Sequence, residues 1–151
     1  FVGKAVMSTS NSKASGPYVK NVTIKGVFPR FCHDALLITD FPPIVVGPYS
    51  TPVGDNTTTV TLVEETNSSV DPATGRVQLT VKLHFHHSLA VAKDSDLVIA
   101  LSTDAPGGTR RTDAGRSPGA IVLVGNGTFD GGYLGDNTCH LQIAGTLNPG
   151  P

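Results

Sequence analysis

The sequence is poor in helix-forming residues and in charge. Its 151 residues include no Trp, one Met, two Glu, two Gln and six Lys, so few unbranched helix formers are available. Only 15% of the residues are charged and the formal net charge is −1, against about 25% charged residues in an average soluble domain. Because such a chain offers no basic field to phosphates or anionic lipids, we expect no nucleic-acid partner.

Long hydrophobic runs are absent too. No run approaches the ~18 apolar residues of a membrane-spanning helix, so we expect no membrane span. The abundant residues are β-branched, with 17 Val, 17 Thr and six Ile, and these side chains suit the pleated surface of a sheet. Seventeen Gly and eleven Pro supply residues for turns. The composition predicts an all-β chain.

Alternating hydrophobicity marks the strands. The clearest run is Gly75 to His86, in which the odd positions are apolar and the even positions polar, the period of a half-buried strand. A turn at residues 71–75 joins it to Thr58–Glu65, which predicts a hairpin. Asn126-Gly127 is typical of a tight turn between strands, and only residues 88–93 could form a short helix. The other predicted strands are Phe1–Met7, Tyr18–Phe28, Ala35–Thr39, Ile44–Val46, Asp96–Leu101, Ala120–Gly125, Gly127–Leu134 and Cys139–Leu147.

The number and spacing of these strands predict the fold class. About nine or ten strands, mostly joined by short polar turns, favour one antiparallel β-sandwich or jelly-roll domain over residues 1–151. A closed β-barrel is the alternative. We interpret the two longer connections, Ser8–Pro17 and Ser102–Pro118, as surface loops.

The two cysteines and the asparagine sequons bear on the compartment of the protein. Cys32 and Cys139 lie 107 positions apart, too far for a C-x-x-C redox or zinc motif. We expect a disulfide between them, with two free buried thiols as the alternative. Asparagine-x-Ser/Thr sequons predict the N-glycosylation of an extracellular glycoprotein. They begin at Asn21, Asn56, Asn67 and Asn126.

The segment closest to a chemical site is His84-Phe85-His86-His87. His84 and His86 project from one face of a strand, and this spacing can bring two imidazoles to one metal ion. No third ligand is evident, so we interpret both as exposed polar residues, with a metal site as the alternative. The run Asp94-Ser95-Asp96 offers oxygens that suit calcium, but no D-x-D-x-D-G loop surrounds it, so we interpret these aspartates as turn residues.

Catalytic chemistry has little support. Glu64 and Glu65 are the only glutamates, and neighbours on a strand point to opposite faces, so they cannot act as a pair. We therefore expect no catalytic residue and no cofactor, and interpret the chain as an extracellular structural or surface-assembly module. The alternatives are a small-ligand-binding β-barrel, a metal-dependent enzyme using His84 and His86, and a viral jelly-roll coat protein that lacks a basic arm.

We expect this module to form homo-oligomers through strand edges. Phe1–Met7 is β-prone, lies at the free end of the chain and precedes the polar segment Ser8–Pro17, so we predict that residues 1–7 form an edge or exchanged strand. Head-to-tail donation of such a strand does not close on itself and would produce filaments. Pairing of residues 1–7 within their own sheet is the alternative.

Overall fold

Nine β-strands make up the fold. A computed structural model describes residues 1–11, 18–27, 35–71, 73–110, 119–132 and 135–147, and these residues contain strands and turns but no helix. The all-β prediction is confirmed. Nothing in these ranges forms a helix long and apolar enough to cross a membrane. The strands are β1 (Val2–Asn11), β2 (Tyr18–Val27), β3 (Leu37–Asp40), β4 (Ile44–Thr51), β5 (Gly54–Asp71), β6 (Arg76–His87), β7 (Ser95–Ser102), β8 (Gly119–Asp130) and β9 (Asp136–Leu147).

All nine strands belong to one antiparallel sheet. Their order is β3-β2-β1-β9-β8-β7-β6-β5-β4. The sheet curls into a half-barrel in which β2 approaches β4 and β3 approaches β5, although these strands lie near opposite ends of the order. The pairing is thinnest between β7 and β8, where Ser102 pairs with Val124. The described residues thus form one continuous curled sheet, and the two separate layers of the predicted sandwich are not seen.

The inner face of the curled sheet carries the hydrophobic core. In β6 the odd positions from Val77 to Phe85 are at most 1% exposed, as the alternation predicts. The rings of Phe85 and Phe129 pack with their centroids 4.1 Å apart. Each fully buried side chain of this size contributes about 1.5–3 kcal/mol to folding. The largest fully buried residues are Met7, Ile24, Leu36, Ile44, Leu79, Leu83, Phe85, Ile99, Leu101, Ile121 and Leu123.

β1 lies within the sheet. It pairs with β2 on one side and with β9 on the other over most of its length, so the prediction that residues 1–7 form an edge strand is wrong. Both registers direct Ala5 and Met7 into the core, where they are fully buried. Pairing on two sides also satisfies the backbone groups that a terminal edge strand would leave open.

β8 continues through the predicted turn at Asn126-Gly127. It pairs with β9 without interruption from Gly119↔Leu147 to Asp130↔Asp136, so the prediction of two separate strands is wrong. A two-residue turn would break this ladder in its middle. The chain reverses after β8 instead, where the amide of Gly131 donates to the carbonyl of Gly135 at 2.9 Å.

Residues 88–93 form bends and turns and not the short helix that the sequence allows there. The amide of Ser88 donates to the carbonyl of Thr57 at 3.0 Å, and the amide of Leu89 donates to Asn56 Oδ1 at 3.1 Å. These two bonds tie the chain to β5 directly after β6 ends. The segment therefore turns back into β7 instead of extending along a helix axis.

Side chains of β5 join the two ends of the sheet, along a line that we call the seam. Ser68 Oγ accepts a hydrogen bond from the amide of Leu36 at 2.8 Å and donates to its carbonyl at 2.7 Å. Glu65 Oε2 accepts from the amide of Ile38 at 2.6 Å. Farther along the seam the rings of Tyr18 and Tyr49 lie 5.0 Å apart. The short edge strand β3 is therefore covered by β5.

Candidate functional site

Imidazole and carboxylate groups meet on the outer face of the sheet, where β6 ends and β7 begins. Phe85 is buried, so its neighbours His84 and His86 project outward. The register of the hairpin places His84 opposite Asp96, and the turn between the strands brings Asp94 beside His86. We call these four side chains, His84, His86, Asp94 and Asp96, the histidine–aspartate cluster.

Asp94 connects the two histidines. Its Oδ2 lies 2.7 Å from His86 Nδ1 and 3.9 Å from His84 Nε2. Its Oδ1 accepts a hydrogen bond from the backbone amide of His87 at 2.9 Å. The other nitrogen of His84, Nδ1, lies 2.7 Å from Asp96 Oδ1. Each histidine is thus paired through Nδ1 with its own carboxylate, and Asp94 faces both rings.

Hydrogen bonds hold both aspartates in the ionised form. The bond with His86 is the main cause that lowers the pKa of Asp94, followed by the bond from the His87 amide. The bond with His84 is the main cause that lowers the pKa of Asp96, and Lys82 Nζ lies 3.5 Å from Asp96 Oδ2. Asp94 and Asp96 therefore each carry a negative charge at neutral pH, and Lys82 lies beside Asp96.

The cluster brings together the two histidines that the sequence singles out and two aspartates that it assigns to a turn. All four are partly exposed. As the side chains stand, the described part of the chain contains no group of three or more His, Cys, Asp or Glu arranged to hold a metal ion. The contacts around Asp94 are hydrogen-bond contacts, and no serine or threonine hydroxyl of the described residues bonds to either histidine of the cluster.

A second polar group lies inside the sheet, between β4, β5 and β6. Asn56 Nδ2 donates to the Tyr49 hydroxyl at 2.7 Å and lies 3.2 Å from His87 Nδ1. Thr58 Oγ1 lies 2.9 Å from both the Tyr49 hydroxyl and His87 Nδ1. All four residues are buried. We call Tyr49, Asn56, Thr58 and His87 the buried polar network.

The network fixes His87 as a neutral ring. Because Asn56 Oδ1 accepts from the amide of Leu89, the amide nitrogen of Asn56 faces His87 as a donor, and His87 Nδ1 accepts. Burial lowers the pKa of His87, although the charge of Asp94 opposes this effect. Its Nε2 is buried and has no hydrogen-bond partner among the described residues. His87 therefore packs in the interior and faces no open site.

The predicted glycosylation sites differ in exposure. Asn21, Asn67 and Asn126 are exposed, whereas Asn56 is fully buried. An N-linked glycan attaches to Nδ2, which in Asn56 donates to the Tyr49 hydroxyl. A glycan at Asn56 is therefore incompatible with this packing, and glycosylation at Asn56 stays a prediction from the sequence alone. Asn21, Asn67 and Asn126 stay predictions.

Cys139 lies on the inner face of β9. It is 2% exposed, and burial raises the pKa of its thiol to about 12. The thiol is therefore protonated at physiological pH and unreactive as a nucleophile. Cys139 forms no disulfide with a described residue. Its predicted partner Cys32 lies outside the described residues, so the disulfide stays a prediction.

A polar groove of about 420 Å³ lies along β1, β8 and β9. The hydroxyls of Ser10 and Thr138 hydrogen-bond to each other, and His140 Nδ1 lies 2.5 Å from Asn126 Oδ1. These side chains satisfy one another, and none of those lining the groove is a carboxylate. The lining residues are Ser8, Ser10, Asn126, Gly127, Thr128, Thr138, Cys139 and His140.

Comparison with protein-family models, with curated proteins and with solved structures found no match. The chemistry of the described side chains is therefore what bears on function.

Two features of these sites could have been found in the sequence. His87 has the parity of Phe85, so the alternation that predicts the burial of Phe85 also directs His87 inward. A hairpin that turns at residues 88–93 places Asp96 opposite His84. The sequence pattern therefore contains this pairing, although the interpretation of Asp94 and Asp96 as turn residues misses it. The network around Asn56 has no such signal, because it depends on the pairing of three strands.

Proposed function

We propose that this protein is a non-catalytic structural or surface-assembly module that acts outside the cell. The filled interior is the observation that carries the proposal. The inner face of the sheet is packed with large side chains that are fully buried, Phe85 and Met7 among them. The exposed sequons at Asn21, Asn67 and Asn126 support the extracellular location.

A filled interior disfavours the alternative of a small-ligand-binding barrel. Such proteins enclose an apolar cavity with a few polar groups aimed into it. Here the side chains of the buried polar network bond to one another, with His87 Nε2 as the exception. The polar groove along β1, β8 and β9 lies partly open on the outer face. Because it is open to solvent on one side, the groove does not enclose a ligand as such a cavity does.

The exposed edge of β4 is the part of the sheet best suited to self-association. Among the described residues β4 pairs with β5 alone, and Val45 is half exposed. The other end of the sheet, β3, is covered by Ser68 and Glu65. With one edge covered, head-to-tail filaments lack an acceptor, and pairing of β4 with β4 of a second copy gives a closed dimer.

The geometry of β4 limits the strength of this contact. Its register shifts between Val46 and Tyr49, and Pro48 in that interval has no amide to donate. The strand also faces β2 across the seam, so a second copy must compete with this contact. We therefore propose a weak dimer that forms through Ile44–Val46 and depends on concentration.

A pair of charge substitutions tests the proposal. Lysine on an edge strand blocks strand addition, so Val45→Lys should reduce the dimer fraction in sedimentation velocity at matched concentrations. Val91→Lys is the matched control, because Val91 is equally exposed but lies in the turn after β6. Association that is lost only in Val45→Lys supports the proposal. A dimer that is unaffected by Val45→Lys, or an original chain that is monomeric throughout, contradicts it.

A further inference from the structure

We propose that the histidine–aspartate cluster binds a divalent transition-metal ion of the zinc class. The ligands are His84 Nε2, His86 Nδ1 and Asp94 Oδ2, and Asp96 positions the ring of His84. This site is independent of the proposed assembly role and requires neither the β4 edge nor a second copy. The inference begins from the position of Asp94 between the two rings.

The distances around Asp94 Oδ2 are close to those of a coordination shell. In a tetrahedral zinc site with metal–ligand bonds of about 2.0–2.1 Å, neighbouring ligand atoms lie roughly 3.3 Å apart. Asp94 Oδ2 lies 2.7 Å from His86 Nδ1 and 3.9 Å from His84 Nε2. One distance must lengthen and the other shorten by roughly 0.6 Å each to reach that value.

The contact between His86 Nδ1 and Asp94 Oδ2 now occupies the position that the ion would take. Among the described residues the side chains form no metal-binding group as they stand, so they must adjust to admit an ion. His84 is 39% exposed, His86 62% and Asp94 41%, so these side chains have room to adjust. The adjustment consists of small rotations about χ1 and χ2 of these side chains.

The surrounding contacts resemble those that orient metal ligands in general. A ligating histidine commonly donates its second ring nitrogen to a carboxylate, which fixes the ring and raises its basicity. Asp96 Oδ1 makes this contact with His84 Nδ1 at 2.7 Å. The non-ligating oxygen of Asp94 is held by the backbone amide of His87 at 2.9 Å. Two of the three ligands are therefore already anchored on their far side.

The donor set selects the class of metal. Two imidazole nitrogens and one carboxylate oxygen suit zinc, nickel and copper(II), whereas calcium prefers six or more oxygens. The two carboxylates offset the charge of a divalent ion, with Lys82 beside Asp96 as the one described cation within 4 Å of either carboxylate. An ion at this point would link the end of β6 to the start of β7.

Calorimetric titration of the intact chain with zinc chloride tests the site. We expect one ion per chain, with affinity reduced at least tenfold in His86→Ala and in Asp94→Asn, and by about tenfold in Asp96→Asn. Asp94→Asn keeps an oxygen that can accept from the His87 amide, so the variant should stay folded, which circular dichroism would verify. His140→Ala is the control, because His140 is exposed on the outer face but bonds to Asn126.

The outcomes separate clearly. Binding that weakens in the three cluster variants and is retained in His140→Ala supports the site. Absence of zinc binding to the original chain overturns the proposal, and so does binding that the cluster variants leave unchanged. Zinc binding lost equally in His140→Ala would assign the ion to a different histidine and also overturn it.

Discussion

Asn56 is the residue on which the buried polar network depends. It supplies a donor to Tyr49 and an acceptor to the amide of Leu89, and it is fully buried. Asn56→Ala removes the acceptor of the Leu89 amide and leaves the Tyr49 hydroxyl with its bond to Thr58 alone. An unsatisfied buried polar group costs about 1–3 kcal/mol, so we expect a loss of this size in the free energy of unfolding, measured with urea.

Asn21 offers a matched control for this measurement. It also begins a sequon but is exposed on β2, and surface substitutions usually change stability by less than about 0.5 kcal/mol. Asn21→Ala should therefore unfold at nearly the same urea concentration as the original chain. Equal stability of the Asn56→Ala and Asn21→Ala variants would show that the network contributes little.

Glu65 makes the seam sensitive to pH. Burial raises the pKa of its carboxyl, although the hydrogen bond from Ile38 acts in the opposite direction. The folded chain therefore binds a proton at Glu65 more readily than the unfolded chain. The stabilisation from this group is present at low pH and is lost as the pH rises from the ordinary value of 4.5 through the raised pKa.

Glu65→Gln removes this dependence and retains an oxygen that can accept from the amide of Ile38. The free energy of unfolding of Glu65→Gln, minus that of the original chain, should increase as the pH rises from about 4 to 7. Glu64→Gln is the control, since Glu64 is exposed. Taking the difference cancels the opposite effect of the aspartates, whose pKa values are lowered. A difference that stays constant with pH would contradict the assignment.

The predicted disulfide between Cys32 and Cys139 also belongs to the residue scale. Mass spectrometry of the protein without reductant should give a mass two hydrogens below that of the reduced chain. A bridge closing a loop of about a hundred residues would stabilise the fold by at most ~4.7 kcal/mol in the chain-entropy model. If the protein is unfolded without reductant and alkylation labels two thiols, the bridge is excluded and the extracellular assignment is weakened.

At the scale of elements, the approach of β8 to β7 depends on Gly125. A Cβ at this position would lie 2.4 Å from the backbone carbonyl oxygen of Ala100, an atom that cannot move without its strand. Gly125→Ala should therefore lower the free energy of unfolding by roughly 1–3 kcal/mol, the usual cost of overpacking. Thermal or urea unfolding measures this change.

Gly127 provides the comparison on the same strand. A Cβ there would lie 2.9 Å from Cδ1 of Leu97, the end of a flexible side chain that can rotate away. We expect Gly127→Ala to cost less than Gly125→Ala. If Gly127→Ala lowers the free energy of unfolding more than Gly125→Ala, or if neither substitution lowers it, the close approach of β7 and β8 is not required.

The strands differ in how far the sequence could predict them. β6 is predicted almost to the residue because one face is buried and the other exposed, so hydrophobicity alternates along its length. β8 is not, because Asn126-Gly127 has the local character of a turn while its pairing with β9 continues. A turn signal is local, whereas the ladder that overrides it comes from a partner strand.

The candidate sites follow the same rule. The outward direction of His84 and His86 follows from the burial of Phe85, a local alternation. The contact between His86 and Asp94 depends on how the turn at residues 88–93 is tied to β5 by Asn56 and Thr57. These hydrogen bonds join residues about thirty positions apart, so no pattern within a single segment can predict them.

At the scale of the whole molecule, the curl of the sheet is the feature that the strand pattern could not supply. A sandwich, a closed barrel and a curled sheet can have the same number of strands and the same alternation of hydrophobicity. The choice depends on closure at the seam, where Ser68 and Glu65 bond to the backbone around β3. Ser68 and Glu65 are polar, and no alternating pattern of hydrophobicity indicates that they bond across the seam.

The seam also decides how the molecule can associate. Because β3 is covered and β1 is internal, the exposed edge of β4 is the route to strand pairing that we propose, and it leads to a closed dimer. Sedimentation equilibrium of the original chain over a wide range of concentration tests this directly. We predict a reversible monomer–dimer equilibrium whose dimer fraction rises with concentration and which does not proceed to larger species. A mass that stays at that of the monomer, or that grows without limit, would contradict the account.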